Sequence, residues 1–268
     1  MKQYLLILGL SGCLLITLLS GCFGTTSTET FNQEYSVNDQ TVVTVSNING
    51  NVEITGWSGT TVTVNAVKSS NMGKAELDNV NISVTRVGTR LDIETIFKGL
   101  SATQASVAMT IKIPYNITLG SVSTSNGGIQ ISGTKGNSTV STSNGAILVE
   151  NVDGYIQAST SNARIEIRGT TGIDGLQTSN GVITAEVRDI RSDTSLDTSN
   201  AVITVYLDPF LNASLDIETS NGHVTVSDVT LNNATIAETR VIGVLGSDGH
   251  RLDIHTSNAN LYVYKLQI

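Results

Sequence analysis

The chain has 268 residues, with 23 acidic against 15 basic side chains and a net charge of −8. A surface of that sign repels a phosphate backbone, and the sequence holds no basic patch with interleaved aromatics, so nucleic acid is not an expected partner. Charged residues make up 14% and prolines number 2, while small, hydroxyl-bearing and β-branched residues dominate. This favours short strands and tight turns over long helices and predicts an all-β folded part.

Residues 1–21 read as a lipoprotein signal peptide: Lys2 supplies the positive start, and "YLLILGLSGCLLITLLS" the apolar run that ends in small residues. Residues 19–22, Leu-Ser-Gly-Cys, resemble the lipobox of prokaryotic lipoproteins, in which the signal is cut before the cysteine and lipid is attached to its sulfur. The same tetrapeptide at residues 10–13 follows too short an apolar run, which makes Cys22 the expected lipid anchor. The alternative is an uncleaved anchor helix over residues 4–23, just long enough to span a bilayer. Both place the bulk of the chain outside the cytoplasm. With Cys13 removed and Cys22 lipidated, no thiol remains to pair, so burial and hydrogen bonding must hold the mature domain together. Residues 22–40, beginning with the lipidated cysteine, are polar, rich in Ser and Thr and aperiodic, the pattern of a flexible tether.

Residues 41–268 form the expected folded domain. In "VVTVSNINGNVEITGW", Val45, Asn47, Asn49, Val52 and Ile54 fit the columns of a worn first coil. Longer strands follow in "TTVTVNAV", "NISVTRVGTRLDIETI" and "SVAMTIKIPYNITLG", with one short helix in "NMGKAELDNV". Residues 41–119 are thus an irregular part that caps the remainder.

From residue 120 onward the tripeptide Thr-Ser-Asn recurs as Thr124 to Asn126, Thr142 to Asn144, Thr160 to Asn162, Thr178 to Asn180, Thr198 to Asn200, Thr219 to Asn221 and Thr256 to Asn258. The asparagines step by 18, 18, 18, 20, 21 and 37 residues. Four residues before each Asn, and three and five after it, every side chain is apolar, as at Val140, Ile147 and Val149. Three before it every side chain is polar. A period near 20 residues with such alternation predicts a single-stranded parallel β-solenoid with two strands per 18–21-residue coil and rungs about 4.8 Å apart. The crossover rule favours a right-handed winding. A left-handed β-helix also suits 18 residues, but it needs three six-residue sides, and each coil offers two apolar strands.

Parity with the buried columns points Thr and Asn of the tripeptide inward and Ser outward. Stacked Thr hydroxyls and Asn amides then bond to their equivalents one rung away or to corner backbone groups. The residue after Asn is Gly four times and Ala three times, so smallness matters there more than positive φ. The 37-residue step is expected to hide another worn coil, with Ala237, Thr239, Val241 and Val244 in register. "NLYVYKLQI" is expected to close the stack, with Lys265 as the edge charge.

The segments "NGNVEITGW", "IKIPYNITLGSVSTSNG" and the Thr-Ser-Asn-Gly coils together resemble the DUF4097 family of candidate adhesins, β-strand repeat proteins related to toastrack-type domains. The likeness covers roughly residues 40–268. It implies a parallel β-solenoid at the cell surface, associated with envelope stress-response systems, and brings no active site to carry over.

Catalytic, cofactor and metal sites are not expected. Ser143 is one of seven equivalent serines, no Gly-x-Ser-x-Gly elbow exists, and the bases are limited to His223, His250 and His255. Asp189, Asp193 and Asp197 near Arg188 and Arg191 are the best candidates for an acid–base groove, yet one lies in an outward column and the others in a turn. The Gly-Gly-x-Gly-x-Asp nonapeptide of calcium-binding β-rolls is absent. Five Asn-x-Ser/Thr sequons, at Asn81, Asn116, Asn137, Asn212 and Asn233, are available on an exported chain. A further outward column reads Ser132, Glu150, Arg168, Glu186, Tyr206, Ser227 and Tyr264, and its charged members are placed to form an ion-pair ladder between rungs. The sequence therefore predicts a non-enzymatic surface lipoprotein with an adhesin-like or scaffolding role. Its partners are the membrane, through the lipid anchor, and a surface glycan or envelope protein. A partner domain in envelope-stress sensing is the alternative, and a polysaccharide-active enzyme a remote one.

Overall fold

The computed structural model describes residues 26–98 and 104–268. The expected signal peptide over residues 1–21 and the expected lipid anchor Cys22 lie outside the described residues. The N-terminal part contributes β1 (Ser27–Ser36), β2 (Val42–Ser46), β3 (Val52–Trp57), β4 (Thr61–Ser70), the short helix α1 (Lys74–Asp78), β5 (Val80–Val87), β6 (Arg90–Phe97) and β7 (Ala105–Pro114). Short strands follow in pairs: β8 (Thr118–Ser123) with β9 (Ile129–Ser132), β10 (Ser138–Ser141) with β11 (Ile147–Glu150), β12 (Tyr155–Ser159) with β13 (Ile165–Arg168), and β14 (Gly172–Gln177) with β15 (Ile183–Val187). The last pairs are β16 (Thr194–Thr198) with β17 (Ile203–Leu207), β18 (Ala213–Thr219) with β19 (Val224–Ser227), β20 (Leu231–Ile236) with β21 (Arg240–Leu245), and β22 (His250–Thr256) with β23 (Leu261–Lys265).

Two large, mostly parallel sheets result. One has eleven strands in the order β1-β4-β7-β3-β9-β11-β13-β15-β17-β23-β19, the other twelve in the order β20-β21-β18-β22-β16-β14-β12-β10-β8-β2-β6-β5. From β8 to β17 the chain gives one strand to each sheet in turn, and equivalent positions pair: Ile147 with Ile129 and Ile165, Val140 with Val122 and Ala158. Alternation with period two turns one side of every strand inward, and Val140, Ile147, Val149, Ile165 and Ile167 have no exposed surface. The aliphatic columns of both sheets merge into one core that runs the length of the stack. Burial of each Val or Ile contributes roughly 1.5–3 kcal/mol, which explains how a thiol-free domain holds together.

The order of the rungs departs from the order of the chain at both ends. β22 lies between β16 and β18, and β23 between β17 and β19, so the last pair in sequence is inserted one rung inside the β18–β19 pair. The expected worn coil at 237–244 is instead the antiparallel hairpin β20–β21, whose β21 pairs antiparallel with β18. Lys265 accordingly sits on an interior strand, and the edge of the eleven-stranded sheet is β19. At the other end, β6 and β7 stack outside β2 and β3. Antiparallel β5 covers one sheet there, and β4 and β1 the other.

Part of the expected tether is structured: residues 27–36 form β1, paired residue for residue with β4 from Ser27–Ser70 to Ser36–Thr61. Aperiodicity does not exclude a strand here, because an edge strand with one solvated face has little need of apolar alternation. Phe31 and Tyr35 supply the contact with the core, and Lys68 pairs with Glu29 at 3.2 Å. The worn first coil and the short helix are where they were expected, as β2–β3 and α1.

Candidate functional site

The Thr-Ser-Asn corners are the most repeated feature of the molecule. Each Thr is buried, from 7% exposed at Thr142 to 0% at Thr256. Its hydroxyl donates to the carbonyl of the residue after Asn in the adjacent rung: Thr142 to Gly127 at 3.0 Å, Thr160 to Gly145 at 3.1 Å, Thr178 to Ala163 at 3.3 Å and Thr198 to Gly181 at 3.2 Å. Thr124 reaches Gly50, Thr219 reaches Ala259 and Thr256 reaches Ala201 in the same way. A buried carbonyl that the sheets leave unpaired is thereby satisfied.

The asparagines are exposed rather than buried, a correction to the parity argument. Alternation stops at Thr, because the backbone turns through Ser and Asn and both side chains reach solvent. The amide ladder exists nonetheless, on the outside. Asn144 donates to Asn126, Asn162 to Asn144, Asn180 to Asn162 and Asn200 to Asn180, at 2.8–2.9 Å. Asn126 extends it to Asn49 at 2.7 Å, Asn258 donates to Asn200 at 2.9 Å, and Asn221 to Asn258 at 3.0 Å. In the first coil Asn47 takes the Thr position: it donates to the carbonyls of Gly50 and Val107 and accepts from Thr95 at 2.8 Å. The glycines after Asn are there for close approach: a Cβ at Gly145 would lie 1.8 Å from the Gly127 carbonyl oxygen, although φ is not positive.

The single-copy candidates do not come together. The Asp189 carboxylate accepts from the Tyr155 hydroxyl, and Arg191 stacks 4.7 Å over the Tyr155 ring while pairing with Asp174. Asp193 instead accepts the Arg251 amide and approaches His250 at 3.7 Å, and Asp197 accepts from Ser195. The expected ion-pair ladder between rungs is replaced by pairs along single strands, Arg168 with Glu166 and Arg188 with Glu186 at 3.3 Å. Side chains two apart on one strand share a face, so each arginine meets an acid without spanning two rungs. On the twelve-stranded sheet, Arg240 and Arg251 both reach Asp216, at 2.8 and 2.9 Å. Arg240's hydrogen bonds hold that carboxyl below the usual carboxylate range, against the opposing effect of burial.

On the outer face of the eleven-stranded sheet, three of the chain's 7 tyrosines meet. Insertion of β23 beside β17 pairs Tyr206 with Tyr264, whereas chain order would have set Ser227 between them. Their ring centroids lie 5.7 Å apart at an interplanar angle of 30°. Tyr262 is parallel to Tyr264 within 1°, at 6.4 Å. Its hydroxyl accepts from Asn260, whose side-chain oxygen in turn accepts the His223 amide. Beside Tyr206 is a cavity of about 350 Å³. Tyr206 and Tyr264 share one outward column of the sequence, but only the rung order makes them neighbours.

No protein-family model matches the chain. No curated protein matches it either. Among solved structures, a candidate adhesin from Parabacteroides distasonis aligns with a TM-score of 0.44 and 13% identity, over 89% of this chain and 97% of that one. A candidate lipid binding protein from the same species aligns at 0.42 and 12%, over 90% and 97%. A candidate cell adhesion protein from Clostridium sporogenes aligns at 0.38 and 11%, over 90% and 100%. Similarity at this level does not carry a function from those proteins to this one.

Proposed function

We propose that the chain is a non-enzymatic, extracytoplasmic lipoprotein of the DUF4097 kind, with a right-handed β-solenoid domain anchored to the membrane through lipid on Cys22. In this reading the outer face of the eleven-stranded sheet is offered to a surface glycan or envelope protein, in an adhesin-like or scaffolding role. The supporting observation is the corner. Buried Thr-to-carbonyl bonds and an exposed Asn ladder join successive rungs on both sides of the turn. Such cross-bracing suits a stiff, extended surface more than a site that must close around a substrate. The repeated residues serve architecture, and the single-copy acids are separately engaged.

Palmitate labelling of growing cells tests the anchor: wild type takes up label and Cys22→Ala does not, whereas equal labelling removes the lipoprotein reading. Loss of cell attachment to a glycan-coated surface on deletion of the gene, restored by wild type, tests the adhesive role. The alternative, a partner domain in envelope-stress sensing, draws on β19 as an edge strand of the eleven-stranded sheet, covered in part where its Val224 amide donates to the Glu238 carbonyl. A nearby turn leaves Phe210 83% exposed. Recovery of a membrane protein from detergent-solubilised envelopes by wild type, and not by Phe210→Ser, would favour that reading.

A further inference from the structure

We infer that the tyrosine cluster of β17 and β23, with the cavity beside Tyr206, is a binding site for an uncharged oligosaccharide; this deepens the surface-glycan reading above and rests on it. A sugar ring has two kinds of surface, a face of C–H groups and a rim of hydroxyls. A protein site that holds it therefore needs an accessible aromatic plane and, at its margin, paired donors and acceptors.

Both are present here. Tyr262 and Tyr264 are parallel to within 1° and Tyr206 is tilted 30° from Tyr264, so three half-buried rings are clustered on two adjacent strands, and Tyr206 among them lines the cavity. The cluster is ordered before any ligand arrives, since regular parallel pairing fixes both strands and the Asn260 amide holds the Tyr262 hydroxyl at 3.1 Å. Preorganisation of this kind reduces the ordering cost of binding. The margin is the 350 Å³ cavity, in which Arg168, Thr184, Glu186 and Gln267 supply donors and acceptors around Tyr206, with Leu266 as an apolar wall. Its volume is at the small end of the range for ligand pockets, suited to one or two sugar units while the chain continues over the tyrosines.

Charge selects among glycans. Arg168 is paired with Glu166, and Glu186 with Arg188, so the cavity offers hydrogen bonds without a free cation. The chain as a whole carries −8. A sulfated or uronic-acid polymer would meet carboxylates and a repulsive field, whereas a neutral chain meets matched donors and acceptors.

The test is isothermal titration of the detergent-solubilised full chain with cello-, xylo- and chito-hexaose, and with a sulfated oligosaccharide of similar length. At least one neutral hexaose is expected to bind, with the sulfated probe weaker. Tyr206→Ala and Tyr264→Ala should each weaken binding about tenfold, the loss of one ring's stacking. Tyr264→Phe keeps the ring and should stay within about threefold of wild type, a difference of less than 1 kcal/mol. Melting curves for all variants exclude unfolding, and Gln267→Ala provides a loss-of-contact variant that leaves the strands untouched. The proposal falls if no neutral hexaose binds at millimolar concentration, if the alanine variants bind like wild type, or if the sulfated probe binds best. Attachment assays on the same variants separate the two levels: adhesion that survives Tyr264→Ala rejects this site and keeps the adhesive role, while adhesion unchanged by gene deletion rejects that role.

Discussion

At the scale of single residues, the corner divides one tripeptide into two unequal jobs. The Thr160 hydroxyl satisfies a buried carbonyl, so Thr160→Val should cost about 1–3 kcal/mol, because the Gly145 oxygen is left without a partner. Asn162→Ala should cost less than about 1 kcal/mol, since water replaces an exposed amide. Gly145→Val should exceed both, at about 3 kcal/mol or more, as its Cβ would collide with the Gly127 carbonyl. Urea unfolding of the three variants checks the ranking, and an Asn162→Ala loss larger than that of Thr160→Val would contradict it.

Asp216 makes a second residue-scale prediction. Its carboxyl titrates lower in the folded than in the unfolded chain, with Arg240 as the main cause. Its contribution is thus present above the unfolded carboxylate range and disappears as pH falls through the folded value. Between about pH 5 and pH 2, wild type should lose more stability than Asp216→Asn, measured by urea unfolding across that range. Parallel pH profiles would show that the arginine pairing adds nothing.

At the scale of elements, the ends of the stack are where an apolar pattern is least informative. β1 covers the flank of β4 with ten paired positions, and without it β4 would present a long, flat edge open to pairing with a second molecule. Deletion of residues 27–36 should therefore produce self-association visible by light scattering, at concentrations where wild type stays dispersed. A dispersed deletion variant would mean that β1 is an accessory rather than a cover. The hairpin β20–β21 has the same task at the other end of the twelve-stranded sheet: β21 buries Val241 and Leu245, while the outer strand β20 is largely exposed and ends at Ile236, 75% exposed.

At the scale of the whole molecule, rung order is open to a direct test. Asn200 and Asn258 are stacked neighbours, while Asn200 and Asn221 are two rungs apart. One rung is about 4.8 Å and two are about 9.6 Å, on either side of the Cα distance a disulfide can bridge. Oxidation should close the pair Asn200→Cys with Asn258→Cys and leave Asn200→Cys with Asn221→Cys open, as read by mobility on non-reducing gels. The opposite result would restore chain order to the stack.

Much of this architecture could be read from one sequence. The recurrence of Thr-Ser-Asn, the apolar columns at Val140, Ile147 and Val149 and the worn coil at Val45 to Ile54 each appear in the structure, because period-two burial and a repeated corner are local properties of the chain. Asn faces solvent instead of the core because the turn after Thr ends the parity of the strand. The succession of rungs was beyond local reasoning altogether: the rung of β22 and β23 has the same columns as its neighbours, so its pattern is satisfied beside any of them. Antiparallel pairing of β21 with β18 and insertion of β23 against β17 settle that order through contacts between distant segments. Sequence alone determined what each rung is made of and which way its side chains face between the corners. Tertiary structure alone decided which rungs touch, and so brought Tyr206 and Tyr264 together, since stacking energy between equivalent strands does not depend on where in the chain they lie.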